Sequence, residues 1–145
     1  LYFAFGISRV VSLALAGKFS KRTSQTLIAA TISVTIGLAI SAVSDSSVIF
    51  AIALVLMGFG FSIFFPLTLE IILSKTSKKI SGKIIGAYET VFGIGWAIGP
   101  TLGGPIAQAF GNQSPYLVFC VIGIGVTILA LRYRKKLEPN KIENI

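Results

Sequence analysis

The chain alternates between long apolar runs and short polar breaks, on a scale far longer than the period of a strand or a single helical turn. Five runs stand out, at residues 1–17, 27–43, 48–73, 84–110 and 116–131. A helix rises ~1.5 Å per residue, so about 20 residues are needed to cross ~30 Å of hydrocarbon. The second run is near the short limit and gains length if Gln25 and Thr26 join the helix. The third and fourth are long enough to tilt or to project beyond the bilayer. Lipid gives backbone N–H and C=O groups no partner, and the strand alternation of a barrel is absent, so these runs must be helices. The pattern predicts an all-α membrane protein: a bundle of five transmembrane helices over residues 1–131, then a basic tail over residues 132–145.

Charge adds orientation. All but one of the 13 Lys and Arg residues fall in three clusters: Lys18, Lys21 and Arg22; Lys75, Lys78, Lys79 and Lys83; and Arg132, Arg134, Lys135, Lys136 and Lys141. The breaks at residues 44–47 and 111–115 contain no cation, so the breaks read basic, neutral, basic, neutral, basic. Basic connections are retained on the cytoplasmic side of a membrane. The C-terminus is therefore expected in the cytoplasm and the protein in the plasma membrane, with Tyr116 and Tyr133 anchoring opposite interfaces. Five crossings would place Leu1 outside. An apolar start with no Met and an odd span count is expected of a chain that continues from further helices on its N-terminal side.

Composition excludes several function classes. Only 12% of the residues are charged and the mean hydropathy is +0.86, whereas a soluble domain carries roughly a quarter charged residues. The net charge of +8 accompanies no groove-reading motif and sits at the ends of apolar runs, so the expected partner is the lipid bilayer and not nucleic acid. There is no His, and Cys120 stands alone in an apolar run. Metal-ligand spacing and a nucleophile–base pair are both lacking, so neither a metal, a cofactor nor enzymatic activity is expected.

Gly and Pro, which aqueous helices exclude, are concentrated inside the spans. Gly95, Gly99 and Gly103 recur every fourth residue, with Gly104 beside the last. That spacing lines up a small-residue stripe along which another helix can approach backbone to backbone. Pro100 cannot donate to the carbonyl of Trp96, and Pro66 likewise frees that of Ser62, after the stretch 58–62 rich in small residues, so both are candidate hinges. Static tight packing is the plainer alternative for any one of these glycines.

Three ionisable residues lie within spans: Arg9, Glu70 and Glu89. A charge at mid-bilayer costs ~2.5 to 3.5 kcal/mol on insertion scales, so it is expected to face a partner or water. Glu70 is five residues from Lys75, within snorkelling reach of the inner surface. Glu89 lies deeper, with Trp96 seven residues on and so on the same helical face. A carboxylate beside an aromatic ring could contact a cationic substrate or carry a coupled proton. A structural pair with Arg9, or a gate-closing contact, is the plainer alternative for Glu89. Thr31, Thr35, Ser62 and Gln108 are expected to satisfy helix–helix or backbone hydrogen bonds.

The segment Gly82-Lys83-Ile84-Ile85-Gly86-Ala87-Tyr88-Glu89-Thr90-Val91-Phe92-Gly93-Ile94-Gly95-Trp96-Ala97-Ile98-Gly99-Pro100-Thr101-Leu102-Gly103-Gly104 resembles the eleventh helix of a major facilitator superfamily transporter. Its Gly-x-x-x-Gly-Pro-x-x-Gly-Gly core is similar to a motif of the antiporter members. Gly17-Lys18-Phe19-Ser20-Lys21-Arg22-Thr23-Ser24 is similar to the family's cytoplasmic-loop motif, Gly-x-Leu-Ala-Asp-Arg-x-Gly. Gly17 and Arg22 match, and Lys21 stands at the acidic position. Leu54 stands where the fourth helix would carry an arginine, which favours helices eight to twelve, in the C-terminal half of such a transporter. The resemblance implies a partial bundle of that type and a secondary transporter that moves a small-molecule substrate by alternating access, coupled to a proton or ion gradient. It further implies that the remaining N-terminal helices of the same transporter are partners, and that Gly17, Lys21 and Arg22 form a cytoplasmic gate loop. A non-transporting membrane scaffold or assembly subunit is the alternative; it predicts neither the loop motif nor ionisable residues at depth.

Overall fold

In the computed structural model, residues 6, 7, 10 and 23–137 are described. Within residues 23–137, four α-helices and a final 3-10 turn follow in order: α1 (Thr23–Val43), α2 (Ser47–Ser74), α3 (Ser81–Phe110), α4 (Ser114–Arg132) and η1 (Arg134–Leu137). They coincide with the second to fifth apolar runs, extended by one to four residues at their N-terminal ends. Most of the first run, with Arg9 and Gly17, and the following break with Lys21 and Arg22 lie outside the described residues.

Among the described residues, α1, α2 and α4 are long and apolar enough to cross a membrane. At 28 residues α2 is ~42 Å long, more than the hydrocarbon thickness. The 30-residue α3 is longer still, but its Gly, Pro and polar residues dilute its apolar character. It nevertheless runs unbroken through Pro100 and Pro105, as α2 does through Pro66.

The core lies between α1 and α2, where Leu27 and Ala30 pack against Ile63, Leu67 and Ile71. Glycine lets the two backbones meet. A Cβ at Gly60 would lie 2.5 Å from the carbonyl oxygen of Ala30, and one at Gly37 would lie 2.9 Å from that of Ala53. Ser33 also donates across this interface to the carbonyl of Leu56 at 2.9 Å. α4 crosses α1 at Gly123, where an added Cβ would stand 2.8 Å from Thr35 Oγ1. Neither α3 nor α4 has a buried residue. Large apolar side chains such as Val91, Leu117 and Val121 are instead exposed, as lipid-facing or unpartnered surface would be.

The connections segregate by charge. At one end the α1–α2 and α3–α4 turns, both free of cations, are joined by Gln113, whose Nε2 donates to Asp45 Oδ1 at 2.8 Å and to the carbonyl of Ser44 at 3.1 Å. Tyr116 stacks edge-on against Phe50 at this end, with ring centroids 5.6 Å apart. At the other end Lys75 Nζ donates to the carbonyl of Lys136. Lys136 Nζ lies 5.5 Å from the ring centre of Tyr133. The start of the basic tail is thus a docked turn, with Leu137 packed against the α1–α2 core.

Candidate functional site

On α3, Tyr88, Phe92 and Trp96 recur every fourth residue and share one face. They meet Phe61 and Phe65, one turn apart on α2. Ring centroids are 5.0 Å apart for Phe65 and Phe92, 5.4 Å for Phe65 and Tyr88, and 6.1 Å for Phe61 and Trp96. Such pairs are worth about 0.5–1.5 kcal/mol each beyond the area they bury. With no residue fully buried, α3 is held against α2 largely by this ladder of rings.

Two cavities flank the ladder. One, of about 450 Å³, is bounded by all four helices and lined by Thr31 and Thr35 of α1, Met57 and Phe64 of α2, Trp96 of α3, and Phe119 of α4. The other, of about 670 Å³, lies between α2 and α3 and is lined by Thr68, Tyr88, Gly95, Gly99 and Pro100. Phe61, Phe92 and Trp96 border both. Among the described residues no carboxylate or cation lines either one, and their walls offer ring faces, aliphatic carbon and a few hydroxyls. Thr31, Thr35 and Thr68 give their protons to carbonyls of their own helices, at 2.7–2.8 Å. Their oxygens remain able to accept. The buried Tyr88 hydroxyl sits beside Thr68 without a well-formed hydrogen bond.

The sequence model of the Major Facilitator Superfamily matches residues 1–145. The chain belongs to that superfamily. A curated relative described as "Multi-drug resistance efflux pump PmrA homolog", from Lactococcus lactis subsp. lactis, is 34% identical over 85 residues. The match covers 58% of this chain and 21% of the relative, so the chain spans about a fifth of that pump's length. No solved structure matches.

The superfamily residues named from sequence fall in different surroundings. Trp96 borders both cavities and is 53% exposed, and Gly95, Gly99 and Pro100 line the second cavity. Glu89 is exposed on α3 and lines neither cavity. Arg9, Gly17, Lys21 and Arg22 lie outside the described residues. The glycine stripe meets no described helix closely. A Cβ at Gly95, Gly99 or Gly104 would find nothing within 4 Å, and one at Gly103 would reach only Pro115 and Phe119, at 3.9 and 4.0 Å. At Pro66, the freed turn is accompanied by Ser62, whose hydroxyl donates to the carbonyl of Gly58 at 2.7 Å.

Sequence reasoning missed the residues that make the closest crossings, Gly37 and Gly123, and noted Gly60 only within a small-residue stretch. It also missed the ladder partners Phe61, Phe65, Tyr88 and Phe92. Their spacing of four was a usable signal. For Gly37 and Gly123 there was none, since nothing within a single apolar run says which of its glycines another helix approaches.

Proposed function

We propose that the chain is part of a secondary active transporter of the superfamily, which moves a small solute by alternating access and draws on a proton or ion gradient. The observation that carries this is Trp96, shared by two cavities on a helix that is only lightly packed. A helix held by a few ring contacts can shift against its neighbours at low cost, and a shift would change which cavity is open. Superfamily membership and a relative named as an efflux pump support transport as the activity.

In this proposal residues 1–131 cross the plasma membrane five times and residues 132–145 lie in the cytoplasm. The joining of the two neutral turns at one end, with basic residues at the other, supports that orientation. Further helices of the same transporter complete the cavity wall; the small share of the relative's length that is matched supports their existence. Glu89 and Arg9 serve proton coupling, the stripe from Gly95 to Gly104 with Pro100 and Pro66 provides sliding and bending, and Gly17, Lys21 and Arg22 gate the cytoplasmic side.

The test is flux of a fluorescent planar aromatic cation into proteoliposomes containing the full-length transporter, with and without an imposed pH gradient. Trp96→Ala is expected to lower flux about tenfold through lost ring contacts. Glu89→Gln is expected to abolish gradient-driven accumulation while dye binding, read by fluorescence, persists. Gradient-independent flux in the unmodified protein, or gradient-driven flux untouched by either substitution, would refute the proposal.

A further inference from the structure

At the basic end of the bundle, a cavity of about 490 Å³ opens between the start of α1 and the end of α4. Its lining changes character with position: Arg134 and Lys135 supply charge, Ser24 and Gln25 supply polar groups, and Ile28 and Leu131 supply aliphatic carbon. None of these residues borders the two aromatic cavities.

The turn that carries the two cations is held by the residues beside them. Leu137 packs against the α1–α2 core, Lys136 lies over the Tyr133 ring, and the carbonyl of Lys136 accepts from Lys75. These three contacts pin η1 beneath the helices, while Arg134 and Lys135 line the cavity. Two cations on a docked turn at the end of membrane-crossing helices, grading into Ile28 and Leu131, match an amphiphile better than a free ion. A free phosphate would gain nothing from the aliphatic part of the wall. The inner leaflet of a membrane is anionic, and basic pockets between helices at its surface recognise phospholipid headgroups.

We propose that this cavity binds the phosphodiester headgroup of an anionic phospholipid, with Arg134 and Lys135 on the phosphate oxygens, the polar groups of Ser24 and Gln25 on the headgroup, and Ile28 and Leu131 against the upper acyl chains. The guanidinium of Arg134 suits two phosphate oxygens at once, and Lys135 acts as a point charge. The site is independent of the solute path and of the transport mechanism.

The test is native mass spectrometry of the delipidated full-length transporter titrated with phosphatidylglycerol, with phosphatidylcholine, and with inorganic phosphate alone. Phosphatidylglycerol is expected to bind in preference to phosphatidylcholine. The double substitution Arg134→Ala/Lys135→Ala is expected to weaken it about 30-fold, on the basis of a surface lysine or arginine's usual contribution. Lys78→Ala/Lys79→Ala removes the same charge from the same end and is expected to leave binding within about twofold. Arg134→Lys is expected to restore part of the affinity and reports on folding. Equal losses from the two double variants would show a diffuse field and overturn the site. Binding of inorganic phosphate that matches the lipid would overturn the lipid assignment, and so would equal binding of both phospholipids.

Discussion

The α1–α2 pair and the α3 helix make their helix–helix contacts by opposite means. In the pair, Gly37 and Gly60 remove side chains at the crossing, so carbonyl oxygens of one helix stand where a Cβ of the other would be. Dispersion between backbones then acts at short range, and any added atom collides with groups that cannot rotate away. On α3 the glycines of the stripe meet little or nothing among the described residues, and the contacts come from Tyr88, Phe92 and Trp96, whose rings meet α2 at 5.0–6.1 Å. Ring contacts at the tips of side chains tolerate displacement that backbone contacts do not. Glycine content therefore does not locate the tight interface in this molecule; what lies opposite each glycine does.

The largest effect that would test this contrast is at Gly60. Replacing it with Val places new carbon against the Ala30 carbonyl and Val34, and should cost about 3 kcal/mol or more, read as a fall in thermal unfolding temperature in detergent. Gly99→Ala should change stability by less than about 0.5 kcal/mol in the same measurement, since its Cβ would meet nothing. A large loss at Gly99 would break the contrast by revealing a helix packed on the stripe from outside the described residues.

Next in size is the ladder. Phe65→Ala removes its contacts with Tyr88 and Phe92 and should cost about 2 kcal/mol. A cysteine-reactive label on Ala97→Cys should then report greater mobility of α3, with no matching change on α1. If α1 loosened equally, the two regions would be one cooperative unit.

Smaller effects are expected at the ends and at the α1–α4 crossing. Gln113→Ala removes the bonds to Ser44 and Asp45 and should cost about 1 kcal/mol, seen as faster hydrogen exchange in residues 44–46 and 111–113. Thr127→Val removes a 3.4 Å contact with Thr35 and the bond to the Gly123 carbonyl. Hydrogen bonds between membrane helices average only about 0.6 kcal/mol, so a shift near the limit of detection is expected.

The sequence alone determined the helices and the grouping of their connections. Hydrocarbon cannot satisfy a bare backbone, so apolar length is enough to require a helix, and cations at the ends of runs mark a shared side. Observed boundaries for α1 to α4 differ from the apolar runs by no more than four residues, because those limits follow from composition. Trp96 was named for its spacing, seven residues from Glu89 and so on one helical face; that it borders two cavities came from the packing of α3 on α2. Only the tertiary structure decided which glycines lie at a crossing, which rings meet, and that Arg134 and Lys135 share a cavity with Ser24 and Gln25. Spacing along one helix places residues on a face, but what that face meets is set by the rotation and crossing of another helix, and apolar runs that lipid would accept on every side leave that rotation unspecified.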